Sequence, residues 1–450
     1  MKNSQNRTQE FINNPQKALW KLSIPMMLGM LAHTLYTVVD MYFINNYVHF
    51  GDAMASLGYL FPSMFIVMGI TFGLGSGGTA LISKFIGAGD KEKANSAAEH
   101  LILLGVIIGL FITILYYFIA DKIVLWQGAS NDTLKYSLDY FYIIISGTTF
   151  MILGIFFRSI LSGEGDNVFA MKVIGIGTLL NIILDPILIY FYQIQGAALA
   201  TVISQTIVFI IFTYSILLKK SCYLDLNLKK FVYNRTMIDK ILGLGLPAAA
   251  SMIIMAFWMG ICNTLIVDED AIEAFAMVGR IEHIFFLIII SIATGLVTLV
   301  GMFFGAKRFD LIKQIIDYAI IRSIYVGVVF CGIFYMFSTY IFSPFELSQN
   351  ELDHIIKYFS IVPFAYPFIA VAMNSGRAMQ ALGYGMPTLI ITFLRVLFIN
   401  ALLSYIFIVV YHKEIIYIWY SIVLSSIITA FTAYLWMKKI SNDVLISEKY

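Results

Sequence analysis

The sequence predicts an all-α membrane protein with twelve transmembrane helices, arranged as two homologous six-helix lobes. Three observations lead to this fold class: the composition, the length of the apolar runs and an internal repeat. Sixty per cent of the 450 residues are hydrophobic and 12% are charged, whereas soluble domains are about 45–50% apolar and about 25% charged. The additional apolar surface must therefore face lipid.

Apolar runs of membrane-spanning length recur along the whole chain. About 20 apolar residues cross the hydrocarbon core as a helix, whereas strands of a membrane barrel are shorter and alternate in polarity. The predicted spans are 22–46, 53–76, 96–120, 138–161, 169–192, 196–218, 243–267, 277–301, 316–342, 355–379, 387–411 and 415–437.

Lys and Arg are concentrated in alternate loops, and this bias predicts the orientation of the helices. The loops at 84–93, 219–240 and 305–313 are basic, as are both terminal segments, whereas 47–52 and 192–196 contain no Lys or Arg. Basic loops tend to remain in the cytoplasm. Both termini are therefore expected there, as an even number of spans requires.

Short motifs of the first half return in the same order in the second half. The run LSIP at 22–25 returns as LGLP at 244–247, and Arg158 is echoed by Arg377 at a similar offset. Because each half has an even number of spans, both halves insert in the same orientation. A parallel repeat of this kind is a design used by transporters.

The longest connection, 219–240, separates the two halves and carries six basic residues. We therefore expect an amino-terminal six-helix lobe with a short cytoplasmic lead-in at 1–218. The linker follows at 219–240, and a carboxyl-terminal six-helix lobe occupies 241–450.

Polar side chains inside the predicted spans are few, and several share one depth. A charge within a span costs roughly 2.5–3.5 kcal/mol on insertion scales, so such residues usually serve a function. Asp40, Asp185 and Thr201 lie roughly 8–10 Å below the outer surface at about 1.5 Å per residue. Asn181 precedes Asp185 by one turn on the same face. Two carboxylates, an amide and a hydroxyl at one depth suit H⁺ or Na⁺; alternatively, each aspartate is solvated near the interface.

The two halves differ at the carboxylate of the first span. When Pro25 is aligned with Pro247, Asp40 corresponds to Cys262. Ion coupling is therefore expected in the first half. Pro186, directly after Asp185, removes one backbone hydrogen bond and can splay the fifth helix.

Methionine and aromatic side chains are candidates for a substrate cavity. Flexible thioethers and aromatic faces suit promiscuous apolar or cationic ligands, although such stripes also face lipid or a neighbouring helix. Glu282 either contributes to substrate binding or neutralises a cation such as Arg280 or His283. The candidate cavity residues are Tyr36, Phe61, Met64, Met68, Phe257, Met259 and Glu282.

Several motifs resemble the multidrug and toxic compound extrusion (MATE) family over essentially the whole chain. The motif at 180–187 is the most specific of them. The motifs are GEGD at 163–166, LNIILDPI at 180–187, GAALAT at 196–201 and RIE at 280–282.

The resemblance implies a V-shaped pair of lobes around a central cavity and antiport of drugs, often organic cations, against H⁺ or Na⁺. It is closest to the DinF-like and archaeal branch. In that branch a first-span aspartate, a fifth-span Asn…Asp pair and a sixth-span threonine form the cation site. Those roles fall on Asp40, Asn181, Asp185 and Thr201.

The same branch is thought to bend its first span at a proline, and that role falls on Pro25. Pro25 and, from its lost backbone hydrogen bond, Pro186 are therefore the candidate hinges. Another branch uses acidic residues in the seventh and tenth spans. Here the only matching carboxylates are Glu351 and Asp353, just before the tenth span, and that second mechanism is not expected.

The expected protein is a monomeric multidrug exporter in the cytoplasmic membrane of a prokaryote. We expect it to carry small amphiphilic or cationic compounds, to contribute to drug resistance, and to need no cofactor apart from the coupling ion. A net charge of +2 gives no indication of a nucleic-acid partner.

Other function classes fit less well. A flippase for a lipid-linked or natural-product substrate belongs to the same superfamily, but it would favour a larger, more cationic cavity and additional spans. A channel would show a pore-lining polar stripe or a re-entrant filter. An enzyme would need a nucleophile, metal ligands or a paired-aspartate motif, and the three separated cysteines suggest neither a disulfide framework nor a metal site.

Overall fold

The computed structural model describes residues 3–47, 59, 61–127, 129, 131–219, 222–266, 268–345 and 347–447, and the regular structure there is helical throughout. Eleven helices in this part of the chain are long and apolar enough to cross a membrane. A further long helix, Pro15–Tyr47, carries the first predicted span. The all-α membrane fold is confirmed.

The first half begins with a short amino-terminal helix, Asn3–Asn13. We number the long helices span 1 to span 12, and we call the end of the bundle next to the amino-terminal helix the terminal side and the opposite end the distal side. The helices are span 1 (Pro15–Tyr47), span 2 (Phe61–Gly87), span 3 (Lys91–Trp126), span 4 (Asn131–Gly163), span 5 (Asn167–Tyr192) and span 6 (Ile194–Thr213, then a π-helical turn at Tyr214–Leu218).

The second half contains six further spans, two of which change helix type along their length. They are span 7 (Arg235–Leu265), span 8 (Glu269–Gly305), span 9 (Phe309–Phe342), span 10 (Gln349–Phe359, Val362–Ala365 and Tyr366–Ala381), span 11 (Met386–Phe393, Leu394–Ala401, Leu402–Tyr405 and Ile406–Val410) and span 12 (Ile416–Ser447).

Side-chain caps determine where several helices begin. Asp90, Asp166 and Asn234 each accept a hydrogen bond from the backbone N–H three residues later, at the start of spans 3, 5 and 7. Ser348 and Glu351 form a capping box at the start of span 10. Each cap satisfies backbone donors that have no partner inside the helix. Span 7 starts at Arg235, so the last residues of the predicted linker are helical.

Span 2 extends to Gly87, well beyond its predicted limit at 76, because its small residues pack against other helices. A Cβ at Gly77 would lie 2.8 Å from the backbone nitrogen of Gly245 in span 7. Near the terminal side, a Cβ at Gly87 would collide with the backbone of Met302 in span 8, and Lys84 lies over the Phe304 ring at 4.2 Å. Glycines permit such close helix contacts, and they join the two halves here.

Span 10 is broken, whereas the sequence predicted a continuous helix over 355–379. A turn and a short 3₁₀ segment, Val362–Ala365, separate its two α-helical parts. Pro363 and Pro367 lack the N–H that a continuous helix needs, which accounts for the break. The break places side chains from both parts of span 10 beside span 8.

Candidate ion and substrate sites

Asp40 of span 1 and Asp185 of span 5 form the centre of a buried polar group. Asp40 is 8% exposed and Asp185 is fully buried. The two spans pack along one another, and the carboxylates lie close enough to repel each other electrostatically. The side-chain amide of Asn181 donates a hydrogen bond to Oδ1 of Asp185 over 3.3 Å. The structure thus brings together three of the four residues predicted for the cation site.

Three oxygens of this group lack a hydrogen-bond partner within the described part of the chain. They are Oδ1 of Asp40, Oδ1 of Asn181 and Oδ2 of Asp185, and all three are buried. A buried acceptor left unpaired costs about 1–3 kcal/mol, and more when it is charged. Hard cations prefer carboxylate and amide oxygens, and a proton on one carboxylate removes the repulsion between the pair. The donor set therefore fits either H⁺ or Na⁺.

An apolar layer closes the distal side of this group. Ile44, Ile189, Ile194 and Ala197 are buried and pack into one cluster. Ile44 follows Asp40 by one turn, Ile189 follows Asp185 by one turn, and Ala197 precedes Thr201 by one turn. Because neighbours one turn apart stack along a helix, the half-buried Thr201 lies at the level of the carboxylates.

Ser204 of span 6 belongs to the same region but was missed from the sequence. Its hydroxyl is buried and has no hydrogen-bond partner among the described residues. A Cβ at Gly177 of span 5 would lie 3.8 Å from the backbone oxygen of Ser204, which places Ser204 about one turn from Asn181. The spacing Thr201-x-x-Ser204 puts both hydroxyls on one helix face and could have identified it.

Glu282 of span 8 forms a second polar group, in the second half. The hydroxyl of Tyr358 is 3.2 Å from each carboxylate oxygen of Glu282 and donates to one of them. Tyr366 is also close enough to interact with Glu282, and Cys262 lies beside Tyr358. Within the described residues, Glu282 has tyrosine partners and no ion pair with Arg280 or His283.

The sequence analysis did not identify Tyr358 and Tyr366. They come from the two parts of the broken span 10 and meet at span 8 because of the break. Broken helices frequently line the binding sites of transporters. The presence of Pro363 and Pro367 inside a predicted span is the sequence feature that could have indicated this break.

The other predicted cavity residues are dispersed. Met64 packs against the main core and Met68 is half-buried, whereas Phe257 and Met259 of span 7 are 65% and 46% exposed. The side chains of Tyr36 and Phe61 lie outside the part of the chain that the structure describes.

Pro25 and Pro186 lie inside continuous helices, in span 1 and span 5. Both spans contribute to the carboxylate pair. A bend at either proline would therefore change the distance between Asp40 and Asp185.

Comparison with known proteins agrees with this architecture. The MatE family model matches residues 25–187 and 247–406, one stretch in each half. The chain belongs to the MatE family. It is a multi-pass membrane transporter and not an enzyme.

Relatives and solved structures of MATE proteins cover most of the chain. This chain is 29% identical to the multidrug export protein MepA of Staphylococcus aureus (strain MSSA476). The match spans 323 residues and covers 70% of each chain. A crystal structure of MATE in the bent conformation superposes with a TM-score of 0.93 at 26% identity, over 98% of this chain and 99% of that one. The outward-facing conformation of a multidrug resistance MATE family transporter of the MOP superfamily superposes with a TM-score of 0.89 at 26% identity, over 96% of each chain.

Proposed function

We propose that this MATE-family chain is a secondary active multidrug exporter that antiports amphiphilic or cationic compounds against H⁺ or Na⁺. The observation that carries the proposal is the buried Asp40–Asn181–Asp185 group with three unpaired oxygens. Relatives named as multidrug export proteins support the substrate class.

The coupling ion would act by relieving the cost of two neighbouring buried carboxylates. An external H⁺ or Na⁺ satisfies oxygens of Asp40, Asn181 and Asp185. The hydroxyl of Thr201 supplies a further oxygen at the same level, and that of Ser204 supplies one about a turn from Asn181. Spans 1 and 5 then approach each other, with Pro25 and Pro186 as the points where the helices can bend. This movement reshapes the space between the halves and expels the substrate.

The driving force from one ion is sufficient for such a pump. A proton that crosses 100 mV and one pH unit supplies about 3.7 kcal/mol. This free energy supports a gradient of several hundred-fold, since about 1.4 kcal/mol corresponds to a factor of ten.

The second half would contribute to substrate recognition. Glu282 offers a carboxylate to a cationic ligand, and the Tyr358 hydroxyl orients it. Tyr36, Phe61, Met64, Met68, Phe257 and Met259 are the proposed apolar cavity residues. Aromatic faces bind cations, and flexible thioether side chains adapt to ligands of different shapes.

We further propose that the chain belongs to the DinF-like branch and works as a monomer in the cytoplasmic membrane of a prokaryote. The carboxylates of spans 1 and 5 support the branch. The basic loops support an arrangement with both termini, and hence the terminal side, in the cytoplasm. The proposed lobes are 1–218 and 241–450, joined by the linker at 219–240.

Transport by the purified chain in proteoliposomes tests this function. Ethidium and a fluoroquinolone are supplied as substrates, and a pH gradient or a Na⁺ gradient is imposed separately. We expect uphill substrate movement with one gradient and none after that gradient is collapsed. If folded protein moves neither compound under either gradient, the multidrug assignment is wrong and a narrow-substrate exporter or lipid flippase replaces it.

A further inference from the structure

Two half-buried arginines, one from each half of the chain, approach one face of span 2. The guanidinium carbon of Arg158 in span 4 lies 5.0 Å from the centre of the Phe72 ring. Arg377 of span 10 donates to Gln380 over 2.9 Å, and Gln380 donates to Ser76 over 2.9 Å. Phe72 and Ser76 are one turn apart on the same face. We call Arg158 and Arg377 the arginine pair.

The two arginines lie at similar distances from the terminal ends of their helices, and their contacts on span 2 lie at the middle of that helix. Arg158 is about one and a half turns from the end of span 4 at Gly163, and Arg377 is about one turn from the end of span 10 at Ala381. Each Cα is therefore roughly 6–8 Å inside the helix end. The two arginines are also counterparts in the sequence repeat, so each half carries a cation at a similar distance from a helix end.

The charge of this pair is not balanced by a carboxylate in the part of the chain that the structure describes. The ion pairs found there involve neither arginine. Glu282 is held by Tyr358, and no ion pair of Asp40 or Asp185 with either arginine occurs among the described residues. His33 of span 1 lies close enough to Arg158 and to His283 of span 8 for electrostatic interaction, and it offers Arg158 no negative charge.

A purely structural role does not account for Arg158. Stacking on Phe72 is worth about 0.5–2 kcal/mol, whereas an uncompensated charge within a span costs roughly 2.5–3.5 kcal/mol or more. A guanidinium has five N–H donors, and no acceptor for those of Arg158 occurs among the described residues. By contrast Gln380, which orients Arg377, is fixed by Ser76 and by the backbone oxygen of Leu244 at 2.9 Å.

We propose that the arginine pair binds the anionic group, a phosphate or a carboxylate, of an amphiphile that enters between the two halves. Arginine pairs with both groups through two parallel hydrogen bonds. The group comes either from a membrane lipid or from an acidic compound that the protein carries. The site goes beyond the proposed antiport and is independent of the ion that drives it.

Binding of defined probes to the purified chain tests the site. Native mass spectrometry measures the affinity for phosphatidylglycerol, for dodecanoate and for inorganic phosphate, with phosphatidylcholine as the neutral-lipid reference. We expect the Arg158→Gln, Arg377→Gln double variant to lose at least about tenfold in affinity for an anionic probe, or about 1.4 kcal/mol. The control is Arg322→Gln, because Arg322 of span 9 also stacks on tyrosine rings but is exposed outside this region.

The probe that depends on the arginine pair identifies the source. A loss confined to phosphatidylglycerol indicates a lipid headgroup, a loss confined to dodecanoate indicates a carried acid, and a loss for inorganic phosphate indicates a free anion. Equal affinities of wild type and double variant for all three probes overturn the proposal, as does an equal loss in Arg322→Gln.

A second measurement does not depend on the folding of a variant. A photoactivatable phosphatidylglycerol and a photoactivatable fatty acid are cross-linked to the wild-type chain. We expect labelled peptides from spans 2, 4 or 10, with competition by the unlabelled anion and none by phosphatidylcholine. Labels confined to other spans contradict the site.

Discussion

The side-chain amide of Asn181 donates to one carboxylate oxygen of Asp185, one turn away on span 5, and leaves the other oxygen without a partner in the described structure. Asn181 thus fixes the carboxylate while its own carbonyl oxygen also remains available. In the proposed ion site the carboxylate is therefore oriented in advance, which lowers the cost of binding a ligand.

Removal of this orienting amide should weaken ion binding without unfolding the protein. We expect Asn181→Ala to raise the ion concentration for half-maximal transport by about tenfold, the loss typical of a group that orients a ligand. Asn400→Ala is the matched control, because Asn400 is a buried amide of span 11 that accepts from Ser404. An unchanged ion dependence in Asn181→Ala would show that Asn181 does not contribute to the ion site.

The contact between spans 2 and 8 should control closure of the terminal side. A Cβ at Gly87 would collide with the backbone of Met302, and a Cβ at Gly305 with that of Lys84. We therefore expect Gly87→Ala and Gly305→Ala to separate the two spans and to expose the fully buried Ser83. The measurement is the labelling rate of a Ser83→Cys reporter by a water-soluble maleimide.

Gly175→Ala is the control for this contact, since a Cβ at Gly175 meets no atom within 4 Å. The two alanine variants should label faster than this control. If all three variants label at one rate, the glycines do not determine closure.

Glu282 and Tyr358 should affect substrate affinity and not ion affinity. Glu282→Gln removes the charge, and Tyr358→Phe removes only the hydrogen bond. We expect both to raise the half-saturating ethidium concentration, by about tenfold or more for the phenylalanine, because a hydrogen bond to a charged group is worth about 1.5–3 kcal/mol and about 1.4 kcal/mol is a factor of ten. Tyr335→Phe, on an exposed residue of span 9, serves as control. A changed ion dependence with an unchanged substrate dependence would instead place Glu282 in ion coupling.

The sequence predicted much of the fold, three members of the buried carboxylate group and Glu282, but not the tyrosine partners of Glu282. Apolar run length identified the spans, and helical periodicity placed Asp40, Asn181, Asp185 and Thr201 at related depths. The end of span 2 was missed because its glycines are buried by neighbouring helices, a tertiary effect. Tyr358 and Tyr366 were missed because their partnership with Glu282 depends on the break in span 10, and no local pattern fixes that three-dimensional contact.

Glu164, in the loop between spans 4 and 5, should make the stability of the protein depend on pH. It is buried and accepts hydrogen bonds from the backbone N–H groups of Tyr223 and Leu224 at 3.3 and 3.1 Å. Burial raises the pKa of its carboxyl from 4.5 to about 7, more than these hydrogen bonds lower it. The folded state therefore holds a proton that the unfolded chain releases between these two values.

Stability linked to this proton is present below about pH 4.5 and is lost as the pH rises to about 7. We expect the melting temperature of the wild type to fall across this window relative to Glu164→Gln, in which the linkage is absent. Glu10→Gln, at an exposed carboxylate paired with Lys21, is the control. If the melting temperatures of wild type and Glu164→Gln change equally with pH across this window, the assignment to Glu164 is wrong.

Substrate-driven ion movement is the most direct test of the Asp40–Asp185 site. Proteoliposomes that contain the wild type, Asp40→Asn or Asp185→Asn are loaded with ethidium, and ion uptake is followed with internal pH and Na⁺ indicators. Asp310→Asn, at an exposed carboxylate paired with Arg308, is the control. We expect the wild type and the control to exchange ethidium for H⁺ or Na⁺, and both asparagine variants to be folded but at least about tenfold slower, since each removes a charged ligand. Exchange at the wild-type rate in folded Asp40→Asn and Asp185→Asn would show that the coupling ion binds elsewhere.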